Sequence, residues 1–151
     1  MTRYSEDLYQ QVILDHNRKP KNFHELAEAT HHCEGYNPLC GDRLSVYVRL
    51  NADGVIDEVS FTGSGCAISK ASASMMTASV KGKTEDEARR MFGQFHGMTL
   101  GEAAPPGGWS LLGKLTIFDG VRKYPSRIKC ATLAWHALVC ALDRTGVVET
   151  V

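Results

Sequence analysis

The sequence has no apolar stretch approaching the ~20 residues that a membrane-spanning helix needs. It has no Lys/Arg run either, and seventeen basic side chains stand against seventeen acidic ones. The first absence argues against a membrane protein. The second argues against a nucleic-acid footprint or a membrane-attracted surface and leaves proteins as the expected partners. Nothing in Met1-Thr2-Arg3-Tyr4-Ser5-Glu6-Asp7 reads as a secretory signal, so a cytoplasmic protein is expected. Internal repeats and low-complexity tracts are missing as well. Cysteine is sparse, with five residues in all. An odd, widely spaced set in a reducing compartment points to metal or sulfur chemistry rather than to a disulfide framework.

What is present fits one domain over residues 1–151: at 43% hydrophobic content the chain can bury roughly 70% of its unfolded surface without staples. Ser5 precedes Tyr9, Val12, Ile13 and His16 at helical spacing, a pattern that stops before Pro20. Alternation over Leu44 to Leu50 predicts a strand. Asp53-Gly54 then turns the chain into a second strand from Val55 to Thr62, with Asp57 breaking its alternation. A third short strand is expected around Ala27 to Glu34. A helix of small residues follows from Ala67 to Val80. Thr84 with Glu87 has the form of a capping box, opening a helix that carries Ala88, Met91, Phe92 and Phe95. Residues 103–108 read as a loop, and Trp109 to Val121 as a short helix with an irregular exit at Asp119-Gly120. The last helix is expected to be capped by Ser126, to run to about Asp143 and to end at Gly146, buried on most sides. The sum is an α+β domain, a small antiparallel sheet of about three strands packed against helices.

Three cysteines sit where chemistry is available: Cys40 in CGD, Cys66 after Gly63-Ser64-Gly65, and Cys130 in YPSRIKC. With Asp42 they make a four-ligand set suited to tetrahedral zinc, and the carboxylate marks a working site more than a closed structural one. One glycine separates Cys40 from Asp42, so in extended backbone both side chains project to one side. Cys66 at a helix start, and Cys130 in a first turn set by the Ser126 cap, would both have their thiolates favoured by free N–H groups and the helix dipole. Three thiolates and a carboxylate around a divalent ion leave two excess negative charges. Arg127, three residues before Cys130, is the candidate to offset them or to hold a sulfur anion, and Lys129 is a second. Each of these residues has a plainer reading: Cys40 as a buried small hydrophobe, Cys66 and Cys130 as core, Asp42 as a turn former, Arg127 as a solvated helix-start residue. Cys140 shares a stripe with Leu133 and Ala137 and is expected to be core. Cys33 beside His31-His32 has the look of a second metal cluster, but an ordinary surface strand is the expected reading, and Met75-Met76 are expected in the core.

The segments GYNPLCGDR, GSGCAISKASASMM, YPSRIKCATLAWHAL and ILDHNRKPKNF resemble the SufU branch of the IscU-like iron–sulfur cluster assembly proteins over essentially the whole chain. The resemblance implies the IscU-like fold and Zn²⁺ held by Cys40, Asp42, Cys66 and Cys130. It also implies a zinc-dependent sulfurtransferase activity in which Cys40 accepts persulfide sulfur from a SufS-type PLP-dependent cysteine desulfurase, a histidine of the desulfurase taking the ligand position that Cys40 leaves. A downstream Suf scaffold or another acceptor would receive the sulfur. The alternative is a scaffold of the IscU type that builds a [2Fe–2S] cluster on the same ligands, since thiolates bind both metals. Lys129 stands where the scaffold branch has a histidine, Tyr124-Pro125-Ser126-Arg127-Ile128-Lys129 replaces the chaperone-recognition segment, and the stretch between Cys66 and Cys130 is longer by a helix. These departures favour sulfur transfer. A structural zinc domain ranks last.

Overall fold

Alternating side chains build the sheet, and the computed structural model describes it within residues 6–144 and 147–149. Strand β1 spans His31–Asn37, β2 Asp42–Leu50 and β3 Ile56–Ser64, each antiparallel to the next. The three antiparallel strands are those expected, but β1 lies further along the chain than Ala27 to Glu34. Its buried face consists of His31, Cys33, Gly35 and Asn37, residues that do not register as an apolar stripe. In β3 the interruption at Asp57 has a geometric cause. Leu50 pairs with Ile56 while Arg49 pairs with Glu58, so Asp57 is the extra residue of a bulge, tied to Asn51 at 3.1 Å. A short fourth strand, β4 at Val147–Glu149, adds parallel to β1 and completes the order β3-β2-β1-β4.

Helices cover this sheet. Helix α1 is Glu6–Arg18, and Ser5, the expected cap, lies outside the described residues. Helix α2 is Ala67–Val80, with the bounds read from the sequence. Helix α3 is Glu85–Leu100, and both halves of the Thr84–Glu87 capping box form. A 3₁₀ helix over Gly113–Lys123 replaces the expected Trp109–Val121 helix. It runs straight through Asp119-Gly120, where Asp119 pairs with Arg122 one turn on at 2.6 Å.

Helix α4 is Pro125–Asp143, and it corrects the assignment of its cap. Tyr124, not Ser126, is the capping residue, and no side chain bonds back to the helix start. Proline at the first helical position sets the entry: its fixed φ suits a helix, and its missing N–H is one that would have had no intrahelical partner. At the far end Arg144 adopts the left-handed conformation, φ 59°, that closes the helix. Gly146, expected there, lies outside the described residues. Helix α4 crosses β1 at close range, because a Cβ on Gly35 would meet Leu133 Cδ1 at 3.1 Å and Ala137 Cβ at 3.2 Å. Trp135 is fully buried and stacks on Phe95 of α3 at 4.8 Å between centroids. No helix among the described residues is long and apolar enough to cross a membrane.

Two cysteines depart from expectation. Cys33 is not on a surface but fully buried, and it is joined by a disulfide to Cys140, a residue that is core as expected. His31 and His32 form no metal cluster with it: His31 Nε2 accepts from Arg144 Nε at 3.1 Å, and His32 stacks on Tyr47. Spacing along the chain could not reveal the pairing, because the two residues are 107 positions apart and meet only through the packing of α4 on β1. Closing a loop of that size stabilises a fold by up to about 4.7 kcal/mol in the chain-entropy account. Cys33→Ala, or dithiothreitol on the wild type, should therefore lower the urea midpoint by a corresponding 2–4 kcal/mol. Zinc stoichiometry should stay unchanged. An unmoved midpoint in both would show that the bridge adds nothing to stability.

Candidate metal centre

The turn from β1 to β2 is built by Asn37. Its carbonyl accepts from Gly41 N at 2.9 Å, and its side-chain Oδ1 accepts from Leu39 N at 3.2 Å. Gly41 takes φ +72°, a left-handed conformation that glycine adopts without strain. The turn carries Cys40 to the surface and returns the chain at Asp42, which pairs with Asn37 as the first residue of β2.

Asp42 is 1% exposed. Its Oδ1 accepts from Cys66 N at 2.9 Å and its Oδ2 from Ser69 Oγ at 2.7 Å, so the carboxylate pins the start of α2 to the sheet. The approach is so close that a Cβ on Gly65 would sit 2.9 Å from Oδ1. Cys66 is the N-cap of α2, and its sulfur accepts from Ser69 N at 3.5 Å. This is the helix start read from the sequence.

Cys130, 4% exposed, points from α4 into the same place. Its thiol donates to Cys40 Sγ at 3.5 Å, and Asn37 Nδ2 donates to Cys130 Sγ at 3.8 Å. The expectation for its helix position is corrected, because with Pro125 opening α4 Cys130 lies more than a full turn in, beyond the reach of free N–H groups. The hydrogen bond to Cys66 and burial push its thiol up instead. The same contact works the other way on Cys66. Its thiol is drawn down to about 6 by the Cys130 hydrogen bond, opposed by burial and helped by Ser69. In the metal-free protein the proton therefore stays on Cys130 and the charge on Cys66. Iodoacetamide should label Cys66 with a half-maximal rate near pH 6, while Cys130 stays unlabelled through the pH range in which an ordinary free thiol ionises. Equal labelling of both, read by peptide mass, would contradict this ordering.

Candidate ligand atoms of Cys40, Asp42 and Cys130 lie within 4.8 Å of one another. Cys66 stands outside that tight group but is tied to it through its N–H to Asp42 and through Ser69, which engages both the Cys66 sulfur and the Asp42 carboxylate. The structure therefore brings Cys40, Asp42 and Cys130 within ligand distance of one another and places Cys66 beside Asp42. The donor types fit zinc: the sulfurs of Cys40 and Cys130 and the Asp42 carboxylate converge, the Cys66 sulfur stands beside them at the start of α2, and each Asp42 oxygen keeps a lone pair beyond the one its hydrogen bond uses.

Arg127 is placed differently. It is exposed at the start of α4, with its guanidinium 4.5 Å over the Tyr124 ring. Its charge still reaches the neighbourhood, since the buried Tyr9 hydroxyl, raised by burial, feels both Arg127 and Cys66. Two residues of the site went unread in the sequence, Asn37 and Ser69. Asn37 lies three positions before Cys40 and Ser69 three after Cys66, but both types read as ordinary turn and cap formers.

The model of the NifU-like N terminal domain family matches residues 8–131. The chain is 40% identical over 139 residues to a Streptococcus pyogenes serotype M1 protein named iron-sulfur cluster assembly scaffold protein IscU, covering 92% of this chain and 85% of that one. It is 42% identical over 134 residues to the zinc-dependent sulfurtransferase SufU of Bacillus subtilis (strain 168), covering 88% of each. Among solved structures it is similar to FiSufU, a candidate SUF-system scaffold from Fervidobacterium islandicum AW-1, at 35% identity and TM-score 0.81, covering 92% of this chain and 96% of that one. A NifU-like N-terminal protein from Brucella abortus matches at 27% identity and TM-score 0.80, covering 92% and 94%.

Proposed function

The chain belongs to the NifU-like N-terminal domain family, which includes iron–sulfur cluster assembly proteins of the IscU and SufU kinds, and on that premise we propose that it is a zinc-dependent sulfurtransferase taking persulfide sulfur onto Cys40. One observation carries the reading: an exposed cysteine, presented by a short turn, lies within ligand distance of a buried cysteine and a buried carboxylate. Cys66 is exposed too, but as the N-cap of α2 its sulfur is engaged by Ser69. The sulfurtransferase relative supports the same reading.

Cys40, Asp42, Cys66 and Cys130 are the residues that would hold zinc. Zinc supplies charge that keeps its sulfur ligands deprotonated and mutes them as nucleophiles. The sulfur donor is a cysteine persulfide on a PLP-dependent desulfurase of the SufS type. The Cys40 thiolate attacks the outer sulfur of that persulfide and forms a new S–S bond, while the donor's own S–S bond breaks and its cysteine departs as thiolate with the electron pair. Asp42, held by Cys66 N and Ser69 Oγ, and Cys130, held by Asn37, stay fixed on the sheet and on α4 throughout. Exposed Leu39 and Tyr124 flank the site, and the Tyr124–Arg127 pair presents a cation beside it to the incoming partner.

Incubation with a cognate desulfurase and cysteine, followed by non-reducing peptide mass analysis and zinc measurement on the same sample, tests the reading. One extra sulfur atom on Cys40 in zinc-loaded protein is expected. The scaffold reading draws on the relative named as an assembly scaffold. It wins if anaerobic reconstitution yields stable stoichiometric iron and sulfide while Cys40 never gains sulfur.

A further inference from the structure

Asn37 is fully buried, yet its side chain adds nothing to the strand ladder. Both of its side-chain hydrogen bonds go to the site: Oδ1 accepts from Leu39 N and Nδ2 donates to Cys130 Sγ. The orientation of the amide is determined by these neighbours. Leu39 offers an N–H, which only the carbonyl oxygen can accept, so the NH₂ group must face the sulfur. We propose that Asn37 is a positioning residue of the metal centre, one amide that fixes the turn presenting Cys40 and holds the sulfur of Cys130 as a ligand.

The inference rests on the zinc-site reading and deepens it. The turn residues between Asn37 and Asp42 must both display Cys40 and let it move outward to accept sulfur. Cys130 must stay where it is during that movement. Tying both demands to one rigid, buried side chain at the end of β1 meets them together: the turn pivots about Asn37, and the far end of the same amide keeps Cys130 in place. An N–H donor on a thiolate also draws electron density from the sulfur, so it alters the metal–sulfur bond as well as its position.

Cobalt(II) in place of zinc makes this readable, because thiolate-to-cobalt charge transfer reports the sulfur directly. Asn37→Asp keeps the size and the acceptor for Leu39 N but replaces the donor facing Cys130 with an oxygen. Asn37→Ala removes both bonds. Val46→Ala, in the buried centre of β2, serves as a control that lowers stability without touching the site. Cobalt titration of the full chain should show a shifted charge-transfer band and affinity about 10- to 100-fold weaker in both Asn37 variants. The control should keep the wild-type band and affinity. A wild-type band and affinity in either folded Asn37 variant overturns the inference and leaves the metal site standing, as does a band equally disturbed in Val46→Ala. A wild-type chain that shows no thiolate–cobalt band at all overturns the metal reading, and this inference with it.

Discussion

Cys40→Ala is expected to reduce sulfur acceptance to background while leaving the fold and much of the metal site intact. The reason lies in how unequally the four residues are embedded. Cys40 is exposed on a turn whose shape is set by Asn37 and Gly41, so truncating its side chain removes only the sulfur that accepts from the Cys130 thiol. The stability change should stay within about 0.5 kcal/mol, as for surface substitutions generally. Asp42 and Cys66 remain joined by their own hydrogen bond, Cys130 stays held by Asn37, and three ligands with water in the fourth position make a recognised zinc arrangement. Zinc is therefore weakened but retained. What disappears is the nucleophile presented on the turn, since the other exposed thiol, Cys66, is held at the start of α2 by Ser69. The measurement is sulfur carried per chain after incubation with a desulfurase and cysteine, beside zinc per chain. A Cys40→Ala protein that still carries wild-type amounts of sulfur would show that the acceptor is elsewhere.

The sequence made legible what is decided locally. Helix α2 and the capping box of α3 have their observed positions because small residues, a cap and a polar start are read within one turn of chain. The candidate metal ligands were legible for a different reason: cysteine and aspartate flanked by glycine carry chemistry that packing alone does not need. What stayed hidden depends on contacts between distant segments. Strand β1 hides its buried face behind cysteine, glycine and asparagine, which satisfy tight packing against α4 instead of an apolar pattern. The Cys33–Cys140 bridge and the Asn37–Cys130 bond both link β1 to α4, and neither can be inferred before those elements are known to touch. The misplaced start of α4 moved Cys130 from a first turn to a second. The sulfur reaches the candidate site, but its environment differs from the one expected: a raised thiol replaces thiolate stabilisation by a dipole.

Asp42 should give the largest combined effect on metal and fold, and two substitutions separate the parts. Asp42→Ala leaves Cys66 N and the buried Ser69 hydroxyl without their acceptors, and an unsatisfied buried polar group costs about 1–3 kcal/mol. It also removes a ligand, so stability and zinc should be lost together. Asp42→Asn is different. Its carbonyl oxygen can still accept from Cys66 N, and its NH₂ can donate to Ser69 Oγ, which accepts as readily as it donates. The start of α2 should therefore stay pinned, with an urea midpoint equivalent to within about 1 kcal/mol of wild type. The negative charge is gone, and an amide oxygen is a poor substitute for carboxylate beside thiolates on zinc. Zinc affinity, read by competition with a chromophoric chelator, should fall at least about a hundredfold, the upper end of what even an outer-shell change costs. If Asp42→Asn binds zinc as tightly as wild type while Asp42→Ala merely unfolds, Asp42 is the clasp between sheet and helix and not a ligand. The fourth position on the ion would then belong to water or to a partner protein.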